Sequence, residues 1–248
     1  MPTLIGSVQR ALRLLEAAGA HSEGAPAKQL AREAGLPLPT AYHLLRTLTH
    51  EGYLRRESGV FLLGDAAGRL AGGGLQQKRR IMILDSLAHF REVVGAPVYF
   101  AVFRAGEIEV VGVSDTPEMP AVREWADFRA TGHAHAIGQC LLAQLDEQTR
   151  RDYYARHPVE AITPYTVRDL RALEQRIAAM GRMQPVIERQ EYVLGSVCAA
   201  IPITAGDTAA TMAISLPLDQ QDRLLYVVDR LRSEVGALLS SLSFSISI

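Results

Sequence analysis

Along the first fifty residues apolar positions recur at helical spacing. Val8, Leu12, Leu15 and Ala18 fall three and four residues apart, with Gln9, Arg10, Arg13 and Glu16 between them. This predicts a helix with Ser7 placed to cap it, ended by Gly19 and the stretch from His21 to Gly24. A short second helix is predicted over Pro26–Ala34, with proline near its first turn and Gly35 as its stop. Leu36-Pro37-Leu38 makes a tight turn, and a third helix opens at Pro39, continues through Glu51 and stops at Gly52. A short helix, a short turn and a second helix have the spacing of a helix-turn-helix. At about 100° per residue, Ala41, Leu44, Leu45 and Leu48 share the core side of the third helix. The opposite side holds His43, Arg46 and His50, flanked by Tyr42 and Thr47, with Thr40 in the first turn. Such groups hydrogen-bond base edges and phosphates when a helix lies in a major groove. A polar helix face can also simply meet water, so the segment that follows decides. There the period shortens: Tyr53–Arg56 and Val60–Leu63 read as two strands joined by Glu57-Ser58-Gly59, a wing that places Arg55 and Arg56 at phosphates beside the groove.

Beyond the wing, Gly68 and then Gly72-Gly73-Gly74 predict a flexible joint, because a glycine triplet is a poor helix interior. Helix resumes from Gln76 to Val94 and stops at Gly95 and Pro97. From Val98 strand-like runs (98–103 and 108–113) alternate with helical stretches (134–145, 147–156 and 169–180). Strands return over 197–203 and 209–216, and a closing helix, 219–242, repeats Leu224, Val228, Leu231, Val235 and Leu238. The mixture predicts an α+β chain: a winged helix-turn-helix domain over 1–66, a linker and connecting helix over 67–95, and a sheet-and-helix domain over 96–248.

Charge sharpens this division. Residues 1–80 carry 11 Lys and Arg against 6 Asp and Glu, whereas residues 81–248 carry 15 against 21, within a net charge of −1. A basic head on an acidic body suits a protein that presents one end to a polyanion. No run approaches the ~18 apolar residues of a membrane helix, the N-terminus lacks the features of a secretory signal, and two cysteines offer no disulfide framework. A cytoplasmic protein with no membrane association is expected.

The segments SVQRALRLLEAAGAH, AKQLAREAGLPLPTAYHLLRTLTHEGYLRR and VFLLGD resemble the N-terminal domain of the IclR family of bacterial transcriptional regulators. The chain departs from many members at Leu38-Pro39 and at His43, so the operator sequence does not carry over. ATGHAHAIGQCLLAQL, ITPYTVRDLRALEQRI, ERQEYVLGSVCAAIPI and MAISLP resemble the family's GAF-like effector-binding domain. The resemblance implies a double-stranded DNA operator, a small-molecule effector, usually an acidic metabolite, and a homodimer or homotetramer. It implies pocket residues Val122, Ala130, Ala136, Ile137, Glu188, Cys198 and Ser215, with Trp125 in the loop before the pocket helix as a further contact or a hydrophobic plug. Gln139 and Pro217 depart from many members, which leaves the ligand open.

Other chemistry has weaker support. His133 and His135 with Cys140 and Cys198 are zinc-type ligands, but the separation of 58 positions from one cysteine to the other matches no metal-site spacing. His133 is expected instead to cap or orient the helix that follows it. Glu188 and Glu191 could divide acid and base roles, but Glu191 reads better as an acceptor of backbone N–H groups in a loop. No cofactor, metal or catalytic residue is expected. The alternative to a regulator is an enzyme or metabolite-binding module that retains a winged-helix head.

Overall fold

The computed structural model describes residues 4–123, 126–181, 184–205 and 208–245, and the chain divides into two compact units, Met1–Arg79 and Arg80–Ile248. In the first unit three helices, α1 (Gly6–Gly19), α2 (Ala27–Glu33) and α3 (Leu38–His50), bury Leu14, Ala18, Leu30, Ala41 and Leu45 against one another. Leu44 and Leu48 join at the edge of this core, as the predicted stripe requires. Helix α1 differs from expectation. It starts at Gly6, ahead of Ser7, with no side-chain cap, and buries Leu14 and Ala18 while Val8 and Leu12 stay exposed. Apolar residues occupy two sides of this helix, and the side carrying Leu14 and Ala18 is the one that meets the core.

Strands β2 (Leu54–Glu57) and β3 (Val60–Leu63) pair antiparallel around a two-residue turn in which both Ser58 and Gly59 have positive φ, the geometry that matches strand twist. A short strand, β1 (Ala25–Pro26), which the sequence pattern did not suggest, extends the sheet on the other edge of β3.

The predicted break at the glycine triplet does not occur. Helix α4 runs from Asp65 to Val94, through Gly72, Gly73 and Gly74. Glycine weakens a helix by up to about 1 kcal/mol per residue but does not forbid helical backbone angles.

The second unit is built on a five-stranded antiparallel sheet of order β5-β4-β8-β7-β6, formed by β4 (Val98–Arg104), β5 (Glu107–Ser114), β6 (Val186–Arg189), β7 (Ser196–Ala205) and β8 (Thr208–Pro217). Strand alternation sorts the side chains into two cores. Val98, Val102, Val197, Ala199, Ile201, Met212, Ile214 and Leu216 face Leu87, Phe90 and Val94 of α4 and the buried side of α8 (Leu224–Ser245). In α8, Leu224, Val228, Leu231 and Val235 are buried as the pattern predicts, whereas Leu238 is exposed, and a 3₁₀ turn over Leu218–Arg223 precedes the helix. On the opposite face Tyr99, Ala101, Ala200 and Ala213 meet α5 (Ala136–Gln144), α6 (Glu147–Arg156) and α7 (Leu170–Ala179). The small residues there let α5 lie close to β7 and β8, so eight of its nine residues are buried. Among the described residues no helix is long and apolar enough to cross a membrane.

Candidate functional site

The outer face of α3 and one face of the wing form a groove lined by Tyr42, His43, Arg46, His50, Arg56 and Phe61, joined by Thr49. Ala41 and Leu45, fully buried, fix the rotation of α3 that presents these groups. Arg56 lies on the same side of β2 as buried Leu54, and its guanidinium sits 5.6 Å from the centre of the Phe61 ring. The stack holds a long cationic side chain in one orientation. Arg55 points to the other side, as alternation along a strand demands. Its Nη1 pairs with Glu57, and its Nε reaches the Leu63 carbonyl at 3.4 Å. The two arginines therefore do not share one surface. Thr40 and Thr47 also fall outside the groove lining, and the Thr47 hydroxyl donates to the His43 carbonyl. Phe61 and Thr49 escaped the sequence reading, although the period of β3 would have aligned Phe61 with Arg56, its cross-strand partner.

The second unit holds a cavity of about 50 Å³ between α5 and the sheet, adjoining a cleft of about 260 Å³. Of the expected pocket residues, Val122, Ala136, Ile137, Glu188 and Cys198 line the cavity, while Ser215 and again Val122 line the cleft. Ala130 lines neither, since its N–H closes a turn onto the Asp127 carbonyl. Trp125 lies outside the described residues.

The remaining walls, Ala213 and the aromatic side chains of Tyr99, Phe128, His135 and Tyr192, come from separated segments that no periodicity gathers. His135, not His133, caps α5. Its Nδ1 accepts the Gly138 N–H at 2.8 Å, and its Nε2 stands 3.0 Å from the Phe128 carbonyl, which requires the neutral ring with the proton on Nε2. Burial depresses the His135 pKa to about 3. The ring stacks on Phe128 at 3.7 Å, and Tyr192 stands edge-on to both. His133 instead ties down the chain near residue 160, with Nε2 at 2.7 Å from the Glu160 carbonyl.

Glu188 lines the cavity as expected and also takes the backbone N–H acceptor role expected of Glu191. Glu188, opposite Cys198 across β6 and β7, accepts the Glu191 backbone N–H on Oε2 at 2.9 Å. Its Oε1 is buried with no hydrogen-bond partner, and burial raises the Glu188 pKa to about 7. Glu191 is held by Arg176 of α7 at 2.7 and 2.8 Å and by Gln139 at 3.2 Å. It is an ion-pair anchor beside the cavity. The Tyr99 hydroxyl accepts the Val122 N–H at 2.7 Å and lies 2.9 Å from the Ser215 hydroxyl, which places this trio between cavity and cleft. Gly138 leaves no room for a ligand. A Cβ there would sit 2.2 Å from the Gly132 carbonyl oxygen, so the missing side chain admits backbone. Burial pushes both thiols up, Cys140 to about 11, and both cysteines are free. Among the described residues no group of three or more His, Cys, Asp or Glu could hold a metal ion.

A winged helix-turn-helix joined in one chain to a GAF-like sheet domain with an apolar cavity defines a DNA-binding, effector-sensing regulator. The family model for the IclR helix-turn-helix domain matches residues 7–58, and that for the bacterial transcriptional regulator IclR C-terminal domain matches residues 80–243. The chain belongs to the IclR family of transcriptional regulators, and it is a regulator rather than an enzyme. It is 26% identical over 242 residues to the transcriptional repressor IclR of Escherichia coli, covering 95% of this chain and 86% of that one. It is 23% identical over 235 residues to the p-hydroxybenzoate hydroxylase transcriptional activator of Acinetobacter baylyi, covering 91% and 86%. Among solved structures, an IclR homolog from Microbacterium hydrocarbonoxydans complexed with 4-hydroxybenzoate superposes with a TM-score of 0.57 at 23% identity, covering 93% of this chain and 96% of that one.

Proposed function

We propose that α3 enters the major groove of a pseudo-palindromic operator, that the Phe61 side of the wing contacts the flanking phosphates, and that a small organic effector in the cavity under α5 changes the affinity for DNA. The observation that carries the first part is the convergence of His43, Arg46, His50 and Arg56 on one exposed groove of a basic unit. Thr40, Tyr42 and Thr47 supply further contacts along the helix. The chain acts as a homodimer or homotetramer, because one winged helix reads only a few base pairs and a second doubles the interface. The names of two relatives, each containing 4-hydroxybenzoate or its synonym, support an organic acid as effector. An effector acts only through a difference in affinity between DNA-competent and incompetent states.

Ala136→Val tests the effector half, since it adds two carbons to a wall of a cavity of about 50 Å³. The variant is expected to bind operator as the native protein does and to lose its response to the effector. Genomic footprinting supplies the operator. A footprint without preferred sites overturns the DNA half, and a full effector response in the variant overturns the pocket.

A further inference from the structure

We infer that the inner cavity receives the uncharged, hydroxyl-bearing end of an apolar ligand, which donates a hydrogen bond to Glu188, and that it turns away a carboxylate. The inference rests on the cavity under α5 being the effector site. It follows from the partners of the polar groups in the walls. The Tyr192 hydroxyl donates to the Ala126 carbonyl at 2.8 Å. Both ring nitrogens of His135 are engaged, Nδ1 with the Gly138 N–H and Nε2 with the Phe128 carbonyl. The Tyr99 hydroxyl is engaged with Val122 and Ser215. Glu188 differs. It is 1% exposed and lines the cavity, and its Oε1 is buried without a hydrogen bond of good geometry, although the Cys198 thiol and the Tyr192 N–H lie against the same carboxyl. An unsatisfied buried acceptor is costly and rare in folded proteins. A ligand donor would complete it.

The other walls supply apolar contact, from Phe128, Ile137 and Ala213. Among the described residues neither the cavity nor the cleft is lined by a lysine or arginine, and the cleft adds a second acid, Glu118. A carboxylate placed against Glu188 would set two acids side by side in an apolar space, where both cannot ionise. Because burial raises Glu188 to about 7, such a ligand could enter only with a proton, and its binding would weaken about tenfold for each pH unit above that value. A hydroxyl carries its own proton and needs none. For a ligand with both groups, the hydroxyl points inward and the acid outward.

Three probes of similar size separate the possibilities: phenol, toluene, which lacks the donor, and benzoate, which is charged. Binding to the full-length protein is measured by calorimetry at pH 8. Phenol is expected to bind at least about tenfold more tightly than either of the others, the scale of one buried hydrogen bond to a charged group. Glu188→Leu should bring phenol down to toluene, whereas Glu188→Gln, which keeps a carbonyl acceptor, should preserve the preference. Equal binding of phenol and toluene, benzoate binding as tightly as phenol, no saturable phenol binding, or a preference that survives Glu188→Leu overturns the inference. If Glu188→Leu does not fold, the native protein with three probes decides. Ala136→Val separates the two levels of failure. If it weakens all three probes and phenol shows no advantage, the cavity is the site and only the donor inference falls. If it weakens none, the site itself is wrong.

Discussion

The two units solve recognition in opposite ways. In the first, the functional groups stand on the outside of one helix and one strand, and the buried residues serve to aim them. In the second, the proposed site lies inside, and its walls come from β4, the loop before α5, the start of α5, strands β6 to β8 and the loop between β6 and β7. An external site tolerates substitution because neighbouring atoms have space to move. An internal one ties ligand chemistry to folding, since its polar groups are desolvated whether or not ligand is present.

The largest effect expected from breaking this contrast is at Gly138. An Ala there would place its Cβ 2.2 Å from the Gly132 carbonyl oxygen and 2.3 Å from the Gly132 Cα, and backbone cannot step aside as a side-chain tip can. Gly138→Ala is expected to cost about 3 kcal/mol or more, measured by urea unfolding. A loss below about 1 kcal/mol would show that the loop carrying Gly132 is compliant.

Glu188 gives the next effect, and its sign depends on pH. Burial raises its pKa from 4.5 to about 7, so its contribution to stability is fully present below pH 4.5 and is lost as pH rises through 7. Glu188→Gln, which never ionises, should therefore be more stable than the native chain at pH 8 by up to about 3 kcal/mol, with the advantage gone near pH 4.5. His135 runs the other way. Its pKa is depressed from 6.5 to about 3, so its contribution is present above pH 6.5 and is lost as pH falls towards 3. The measurement is the difference in unfolding free energy between Glu188→Gln and the native chain across this range. A difference that does not change with pH would contradict the burial argument.

On the outer site the effects are smaller and fall on DNA affinity. Arg46→Ala should cost roughly 1–3 kcal/mol if Arg46 reads a base edge. Arg56→Ala should weaken binding to all sequences and reduce the salt dependence by about one unit. Arg55→Ala should do neither, because Arg55 pairs with Glu57 on the opposite side of β2. Salt titrations of the two wing variants in parallel test the difference. Equal slopes for both would place both arginines on DNA.

What the sequence disclosed follows the same division. The rotation of α3 was legible because one apolar stripe leaves one polar face. Helix α1 was misread because its apolar residues form two stripes, and nothing within the helix says which meets α3. Arg55 and Arg56 looked equivalent as neighbours, yet the two-residue period of a strand separates them, a signal present in the sequence but not applied. The helical glycine triplet shows the limit of propensity, which is a bias of up to about 1 kcal/mol per residue rather than a prohibition. Cavity residues found by family resemblance were largely gathered by the fold. The aromatic walls were not, because Tyr99, Phe128, His135 and Tyr192 meet only through tertiary structure.

The small volume under α5 also has a kinetic consequence. Sites for small organic ligands usually enclose about 300–1,000 Å³, and this one encloses about 50 Å³. If the cavity must widen to admit an effector, binding waits for the molecules that have opened. If roughly one molecule in a hundred is open, the apparent affinity is about a hundredfold weaker than the contacts alone would give. At high effector concentration the observed rate would level off at the rate of opening instead of climbing further. A substitution that loosens the walls without touching a ligand contact would therefore make the regulator respond sooner and at lower dose.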